Sequence, residues 1–326
     1  MDRAEATTVV SLLYQTILGR DAEPEGLRNK VDALVSGKQT LTQILREFHG
    51  SRELAEKRQL LQPNLTGFPV FANEDVFVAP GVVDALFTKT ANYWRSTASK
   101  PEEMYWSVLT EANWRRAPTL DDRRAFARTG AAYADRILAE FTKRTGRATE
   151  GIRCLDFGCG VGRLAINFAP RTAEVCAVDF SPSHLEELQQ NAKLFGCADR
   201  ISTWLLRMPA DLAKVPEVDL VYTLVSLQHN TPPVIAFVVD SLLRHLRPGG
   251  LAFLHLTLAR AGYQGFSVAR YLADPEAGTT MEVHFLPRQN LDDVVARTGC
   301  ELLTSRCIGG NMFAYSEEFV IRRPGG

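Results

Sequence analysis

The feature that most constrains this chain is a short apolar run, Ile152 to Phe157, that ends in Gly158-Cys159-Gly160-Val161-Gly162 and opens a helical stretch. Each glycine removes a Cβ and tolerates a left-handed backbone, so the main chain can turn sharply there and approach a ligand closely. Strands and helices then alternate. Glu174 to Val178, ending at Asp179, Ile201 to Leu206, Val218 to Thr223 and Leu251 to Thr257 read as buried strands. Helices are expected from Gly162 to Phe168, from the Ser181 cap to near Gly196, and from Pro232 to Leu246, with the turn Pro248-Gly249-Gly250 after it. This alternation predicts an α/β fold with a doubly wound, mostly parallel sheet covered by helices on both faces. After a helix around Leu291 to Thr298, the strand-like runs Glu301 to Arg306 and Phe313 to Ile321 meet through Gly309-Gly310-Asn311. A link that short makes the two strands antiparallel.

The first 62 residues differ in character. Val9, Leu12, Leu13 and Ile17, then Leu27, Val31 and Leu34, then Leu41, Ile44, Leu45 and Phe48 recur at helical spacing. Gly19, Pro24 and Gly37 punctuate them, and Thr40 and Ser51 are expected N-caps. Residues 1–62 are thus predicted to be a small helical domain, 63–150 a linker and helical cap, and 151–326 the ligand-binding domain. Pro63 to Pro80 reads as a linker docked through Phe68, Phe71 and Phe77. Ala125 to Phe141 reads as one amphipathic helix, and Tyr93, Trp94, Tyr105, Trp106 and Trp114 are expected to pack the cap or form a lid.

Composition excludes several classes of function. The 326 residues carry 37 basic and 38 acidic side chains, so no global field gathers nucleic acid or an anionic membrane. No run approaches the roughly 20 apolar residues of a membrane span, and the Met1-Asp2-Arg3-Ala4-Glu5 start does not read as a secretory signal. Six cysteines without a C-x-x-C pair predict reduced thiols in a cytoplasmic protein, with neither zinc site nor disulfide framework.

Three details narrow the ligand. A dinucleotide fingerprint wants its third glycine at position 163, where this chain has Arg163, so the order is Gly-x-Gly-x-Gly. Asp156 stands two residues before the first glycine, where it can order the loop or receive an ammonium group. Asp179 closes the next strand, where a carboxylate can accept both hydroxyls of a ribose. Over residues 150 to 323 this pattern resembles the class I S-adenosyl-L-methionine-dependent methyltransferases. That resemblance implies a seven-stranded Rossmann-like sheet with S-adenosyl-L-methionine as cofactor. It places Asp156, Phe157, Gly158, Cys159, Gly160 and Gly162 about the methionine part, Asp179 at the ribose and Phe180 on the adenine. Leu224 and Val225, after the fourth strand, would line the cofactor. The family's usual acid after the third strand is replaced here by Leu206-Arg207-Met208-Pro209-Ala210-Asp211, so either the backbone of Arg207 and Met208 serves the adenine, the favoured reading, or Asp211 reaches back to it.

A second resemblance covers about 50 residues. Tyr14, Leu18-Gly19-Arg20-Asp21 and Pro24-x-Gly26-Leu27 are similar to a short helical domain fused to bacterial enzymes of polysaccharide and glycoconjugate assembly. It implies a carbohydrate acceptor and a surface for oligomer or partner contacts, although helix, turn and helix start explain the same residues unaided.

Methyl transfer to a hydroxyl needs alignment of donor and acceptor and removal of a proton, for which histidine is the first side chain to consider. Of the histidines at 49, 184, 229, 245, 255 and 284, His229 follows the fourth strand and His284 follows an insertion after the fifth. These two are the candidate bases. His184 and His245 are expected to be solvated or capping on their helices, and His255 to sit in the core. Asp121-Asp122 and Asp292-Asp293 are expected at helix starts, and no metal is expected. The leading reading is an O-methyltransferase of a small molecule, most simply a sugar or glycoconjugate hydroxyl. The alternatives are N- or C-methylation of a natural product, or an assembly protein whose methyltransferase domain is degenerate.

Overall fold

The computed structural model describes residues 2–18, 21–49, 73–260, 263, 265–311 and 314–325. The chain divides into two compact units, Met1–Phe68 and Pro69–Gly326. Gly19, Arg20, Ser51, Pro63, Phe68 and Phe71 lie outside the described residues.

The first unit holds α1 (Arg3–Leu18), α2 (Pro24–Val35) and α3 (Leu41–His49). Pro24 opens α2, where its fixed φ suits the first helical position. Thr40 and Gln43 exchange a reciprocal pair of side-chain to backbone hydrogen bonds of 3.3 and 2.8 Å that starts α3. The face that α1 buries differs from the expected one. Ala6, Val10 and Tyr14, each four residues apart, turn inward to Val31, Ile44 and Phe48, whereas Leu12 is 53% exposed. A small, a branched and an aromatic side chain on one i, i+4 row fill successive levels of this core, ending at an edge-to-face contact of 4.8 Å between Tyr14 and Phe48.

The second unit is built on one seven-stranded sheet, ordered β3-β2-β1-β4-β5-β7-β6. Its strands are β1 (Arg153–Phe157), β2 (Glu174–Asp179), β3 (Ile201–Leu205), β4 (Val218–Thr223), β5 (Leu246–Arg260), β6 (Glu301–Asn311) and β7 (Ala314–Arg322). The first five are parallel, and β7 inserts antiparallel between β5 and β6. Around them lie α4 (Pro80–Ala98), α5 (Leu120–Arg128), α6 (Ala131–Thr145), α7 (Ala165–Phe168), α8 (Pro182–Leu194), α9 (Pro232–Arg244), α10 (Val268–Ala273) and α11 (Arg288–Arg297).

Side chains alternate across the sheet, so both faces are apolar and both need a helical layer. Leu155, Phe157, Val178 and Val221 face α4, α9 and α11. Cys154, Ala177, Leu220 and Tyr222 face α6, α7 and α8, where Phe168 stacks on Tyr222 at 3.9 Å. Among the described residues no helix is long and apolar enough to cross a membrane.

Three elements depart from expectation. The regular helix after the glycine loop is only Ala165–Phe168, because the loop spends residues 160–164 on turns. The single helix expected from Ala125 to Phe141 breaks into α5 and α6 at Gly130. The corner packs so closely that only glycine fits: a Cβ on Gly130 would lie 2.2 Å from the Arg163 carbonyl oxygen and 3.1 Å from Asn167 Nδ2. Asp292 and Asp293 sit in the second turn of α11 rather than at its start, with Asp292 paired to Arg288 at 2.9 Å. Asp121 and Asp122 do open α5, and Asp122 completes a capping box with Thr119.

Replacing Gly130 by alanine should therefore force the α5–α6 corner off the glycine loop. We expect Gly130→Ala to lower unfolding free energy by about 2 kcal/mol, as for overpacked sites, measured by urea denaturation; a change below about 0.5 kcal/mol would show that the corner yields freely.

Candidate active site

The parallel strands end at a cleft lined by Gly158 and Gly160 of the loop, Asp179 and Phe180 after β2, and Leu224, Val225, Ser226 and His229 after β4. Trp94 of α4, Ser107, Val108 and His184 complete it. A crevice at the carboxyl ends of strands, where the order reverses between β1 and β4, is where α/β sheets bind ligands.

The loop owes its shape to its glycines. Gly158, Gly160 and Gly162 have φ of 71°, 52° and 93°, all left-handed. A Cβ on Gly158 would fall 1.8 Å from Ser226 Oγ, and one on Gly160 would fall 2.7 Å from Val108 Cγ2. Gly162 serves packing instead, its missing Cβ leaving room for Leu188 of α8.

Asp179 ties this loop down. It is 5% exposed; one carboxylate oxygen accepts the Gly160 amide at 2.9 Å and the other the Ser181 amide at 2.8 Å. Burial alone would raise its pKa, but the His184 imidazole, 3.5 Å away, and those two amides outweigh it and hold the carboxyl below its ordinary value. The oxygen that accepts the Gly160 amide still has a second acceptor site for a ligand, while the other faces His184. His184 is not the solvated or capping residue that its place on the helix implied. It is 4% exposed in the cleft, with Nε2 2.9 Å from Ser107 Oγ. The signal lies in Ser181-Pro182-Ser183-His184, since the third residue after an N-cap points back at the strand tip.

Other expected residues fall elsewhere. Asp156 is 2% exposed and does not line the cleft. Burial pushes its pKa up to about 8, against the pull of Arg163 and with the push of Asp179. A largely protonated acid under the loop orders the loop better than it receives an ammonium group. Phe157 and Cys159 are buried in the two cores, and burial pushes the Cys159 thiol well up. The amides of Arg207 and Met208 already donate to Asp211 Oδ2 at 2.9 and 3.1 Å, and neither residue lines the cleft. Phe180 does, braced edge-to-face by Phe87 at 5.7 Å.

After β4 the chain is strained. Val225 has φ 58°, a conformation that a β-branched residue adopts only when its surroundings impose it. Its amide donates to His255 Nδ1 at 2.8 Å, so that nitrogen is unprotonated, and burial lowers the His255 pKa to about 4. His229 sits beyond, edge-on to Trp94 at 4.8 Å, with Nδ1 2.9 Å from the Glu282 carbonyl oxygen. A carbonyl only accepts, so Nδ1 carries the proton and Nε2 keeps its lone pair. Burial lowers the His229 pKa to about 4. His284 does not line the cleft, and its amide donates to the Gln228 carbonyl at 2.7 Å.

Comparison with known proteins gives this geometry a family. Residues 154–250 match the model of a methyltransferase domain, and residues 4–58 that of a domain of unknown function, DUF4214. The second unit carries a methyltransferase domain on a sheet of the class I S-adenosylmethionine-dependent fold. The chain is 25% identical over 215 residues to a ubiquinone biosynthesis O-methyltransferase of Rhizobium etli, spanning 64% of this chain and 85% of the relative. A ubiquinone biosynthesis O-methyltransferase of Xanthomonas oryzae is 33% identical over 107 residues, 32% of this chain and 42% of that one. The fold is shared with magnesium protoporphyrin IX methyltransferase of Synechocystis, solved with SAH bound, at a TM-score of 0.50 and 18% identity over 73% of this chain and 99% of that one. This methyltransferase uses S-adenosylmethionine as its cofactor and acts on a small molecule. The residues present suit such a donor: glycines open the backbone, Asp179 offers carboxylate acceptors, and Phe180 and Leu224 offer apolar faces. Ser107, Val108 and Trp94 bound the cleft, whose volume is about 60 Å³.

Asp179→Asn should loosen the methyltransferase's glycine loop by weakening the Gly160 bond. Amide hydrogen exchange at Gly160 is expected to rise about 10- to 100-fold, the equivalent of a charge-assisted hydrogen bond; unchanged protection would mean that the loop holds its shape unaided.

Proposed function

We propose that this protein transfers a methyl group to a hydroxyl of a sugar or glycoconjugate, with His229 as the general base. S-adenosylmethionine, when bound, supplies an electrophilic methyl group on its sulfonium. Gly158, Gly160, Asp179, Phe180, Leu224 and Val225 hold it, and the chain's remaining task is to place the acceptor oxygen and take its proton. The observation that carries this reading is the commitment of His229 Nδ1 to the Glu282 carbonyl, which leaves a neutral ring with Nε2 as proton acceptor at the cleft.

A base whose conjugate acid has a pKa of about 4 is neutral throughout the physiological range, so no proton has to leave it before the reaction. It is a weak base, and its contribution comes from position as well as proton affinity. Trp94 holds the ring from one side and Glu282 from the other. The sugar class is supported by the resemblance of the N-terminal domain, which is an association. The helical domain over residues 1–62 would then serve partner contacts, while the described part of 63–150, residues 73–150, caps the catalytic domain over 151–326.

Isotope-labelled methyl transfer to glycosides, phenols and amines, followed by product analysis, tests the proposal. Label recovered as a sugar methyl ether is the expected result, and label on nitrogen or carbon alone would refute it. His229→Ala should lower kcat by about 10²- to 10⁴-fold while S-adenosylmethionine affinity stays within about twofold; parallel losses would mark a structural role. Asp179→Ala should weaken cofactor binding by about 1–3 kcal/mol in calorimetry. Because the His229 pKa is lowered, the base is lost only as pH falls through about 4. The acid limb of kcat/KM should therefore lie near 4, and a limb at the ordinary histidine value of about 6.5 would exclude His229.

A further inference from the structure

A recess of about 540 Å³ is formed by residues 263–284, the segment inserted after β5. It shares a wall with the cleft, because His229 lines the cleft while the residue that orients it, Glu282, lines the recess. A second hydrogen bond, from the His284 amide to the Gln228 carbonyl, closes the same seam.

The floor of the recess is aromatic and internally satisfied. Tyr263, Phe266 and Tyr271 surround the His284 imidazole edge-on, with ring centroids 5.9, 5.8 and 5.9 Å away. Glu282 takes the Tyr271 hydroxyl at 2.6 Å, the Gly278 amide at 2.8 Å and His284 Nε2 at 2.9 Å, and the other His284 nitrogen lies 2.7 Å from the Tyr263 hydroxyl. Burial would raise the Glu282 pKa, but these donors outweigh it and hold the carboxylate below its ordinary value. A floor so bonded is rigid and offers ring faces and edges rather than free charges. The rim is polar and exposed, with Arg270, Asp274, Glu276 and Thr280.

We propose that this recess binds the acceptor, and that it is built for a neutral, polyhydroxylated ring. Resting on the reading of His229 as base, the proposal seats the acceptor in the recess that adjoins the base through Glu282, whose carbonyl bonds His229 and whose side chain lines the recess. Carbon–hydrogen faces of a pyranose lie on aromatic rings, and carboxylate and guanidinium groups at the rim pair with several hydroxyls at once. Planar arenes fit less well, since the rings stand edge-on to His284 and form no parallel slot about it. Anionic sugars are disfavoured by three lining carboxylates against one guanidinium.

The test is ligand-observed NMR on the full chain with S-adenosylhomocysteine present, using neutral methyl glycosides, sugar phosphates and simple phenols as probes. Two variants are compared with the unaltered protein: Thr280→Trp, which fills the rim at an exposed position, and Phe266→Ala, which removes one ring of the floor. The expected result is saturation transfer to at least one neutral glycoside, lost in Thr280→Trp and weakened about tenfold or more in Phe266→Ala, with S-adenosylhomocysteine affinity unchanged in both. No glycoside signal, or a signal that survives both variants, overturns the recess as the acceptor site; preference for phosphates or phenols overturns the ligand class. Binding that behaves as expected with no O-methylated product would leave the recess standing and remove His229 catalysis, so the two readings fail separately.

Discussion

The carboxylate of Asp179 is the constraint on which the site depends. It joins three pieces of chain with two backbone amides: the tip of β2 that carries it, the glycine loop after β1 through Gly160, and the start of α8 through Ser181. A loop of left-handed glycines has little intrinsic preference for one shape, and glycine loses more conformational freedom on folding than any other residue. A buried, charge-assisted bond supplies the missing preference. His184 keeps that charge in place from inside the fold, and Ser107 holds His184 in turn.

The same logic recurs on the other side of the cleft with different chemistry. Val225 is forced into a left-handed turn, and a neutral histidine, His255, takes its amide. That turn sets Ser226 against the bare face of Gly158. The glycine loop and the segment after β4 therefore define each other's position, one by lacking side chains and the other by supplying a hydroxyl. Catalytic geometry rests here on backbone shape held by buried polar side chains, as pre-organised sites require.

Much of this is legible in the residues. Alternating apolar runs specify the sheet, because a strand buried on both faces leaves no other pattern, and the closeness of the last two runs specifies an antiparallel pair, although Gly309-Gly310-Asn311, read as the link, extends β6 and pairs with β7. The glycines and Asp179 mark the cleft because few other residues tolerate those conformations or positions. What escapes such a reading depends on contacts distant in sequence. Gly130 stands at a corner that packs on the Arg163 carbonyl, a contact that periodicity around Ala125 to Phe141 does not contain. The amides of Arg207 and Met208 read as free along the chain, but Asp211 folds back on them. Asp156 has the position of a ligand group, and only its depth takes it out of the cleft. A helix start such as that of His184 reads as surface, whereas this one is sealed by the segment of Ser107 and Val108, with Ser107 lying 77 residues earlier.

The partner that orients His229 is a main-chain carbonyl. A carbonyl is the one acceptor that no substitution deletes, so the tautomer of this histidine does not hang on the identity of residue 282. On the roles proposed for His229 and the recess, an inserted segment that contributes its backbone to the base and its side chains to recognition separates two inheritances, and selection can rewrite the one while the proton acceptor keeps its bearing.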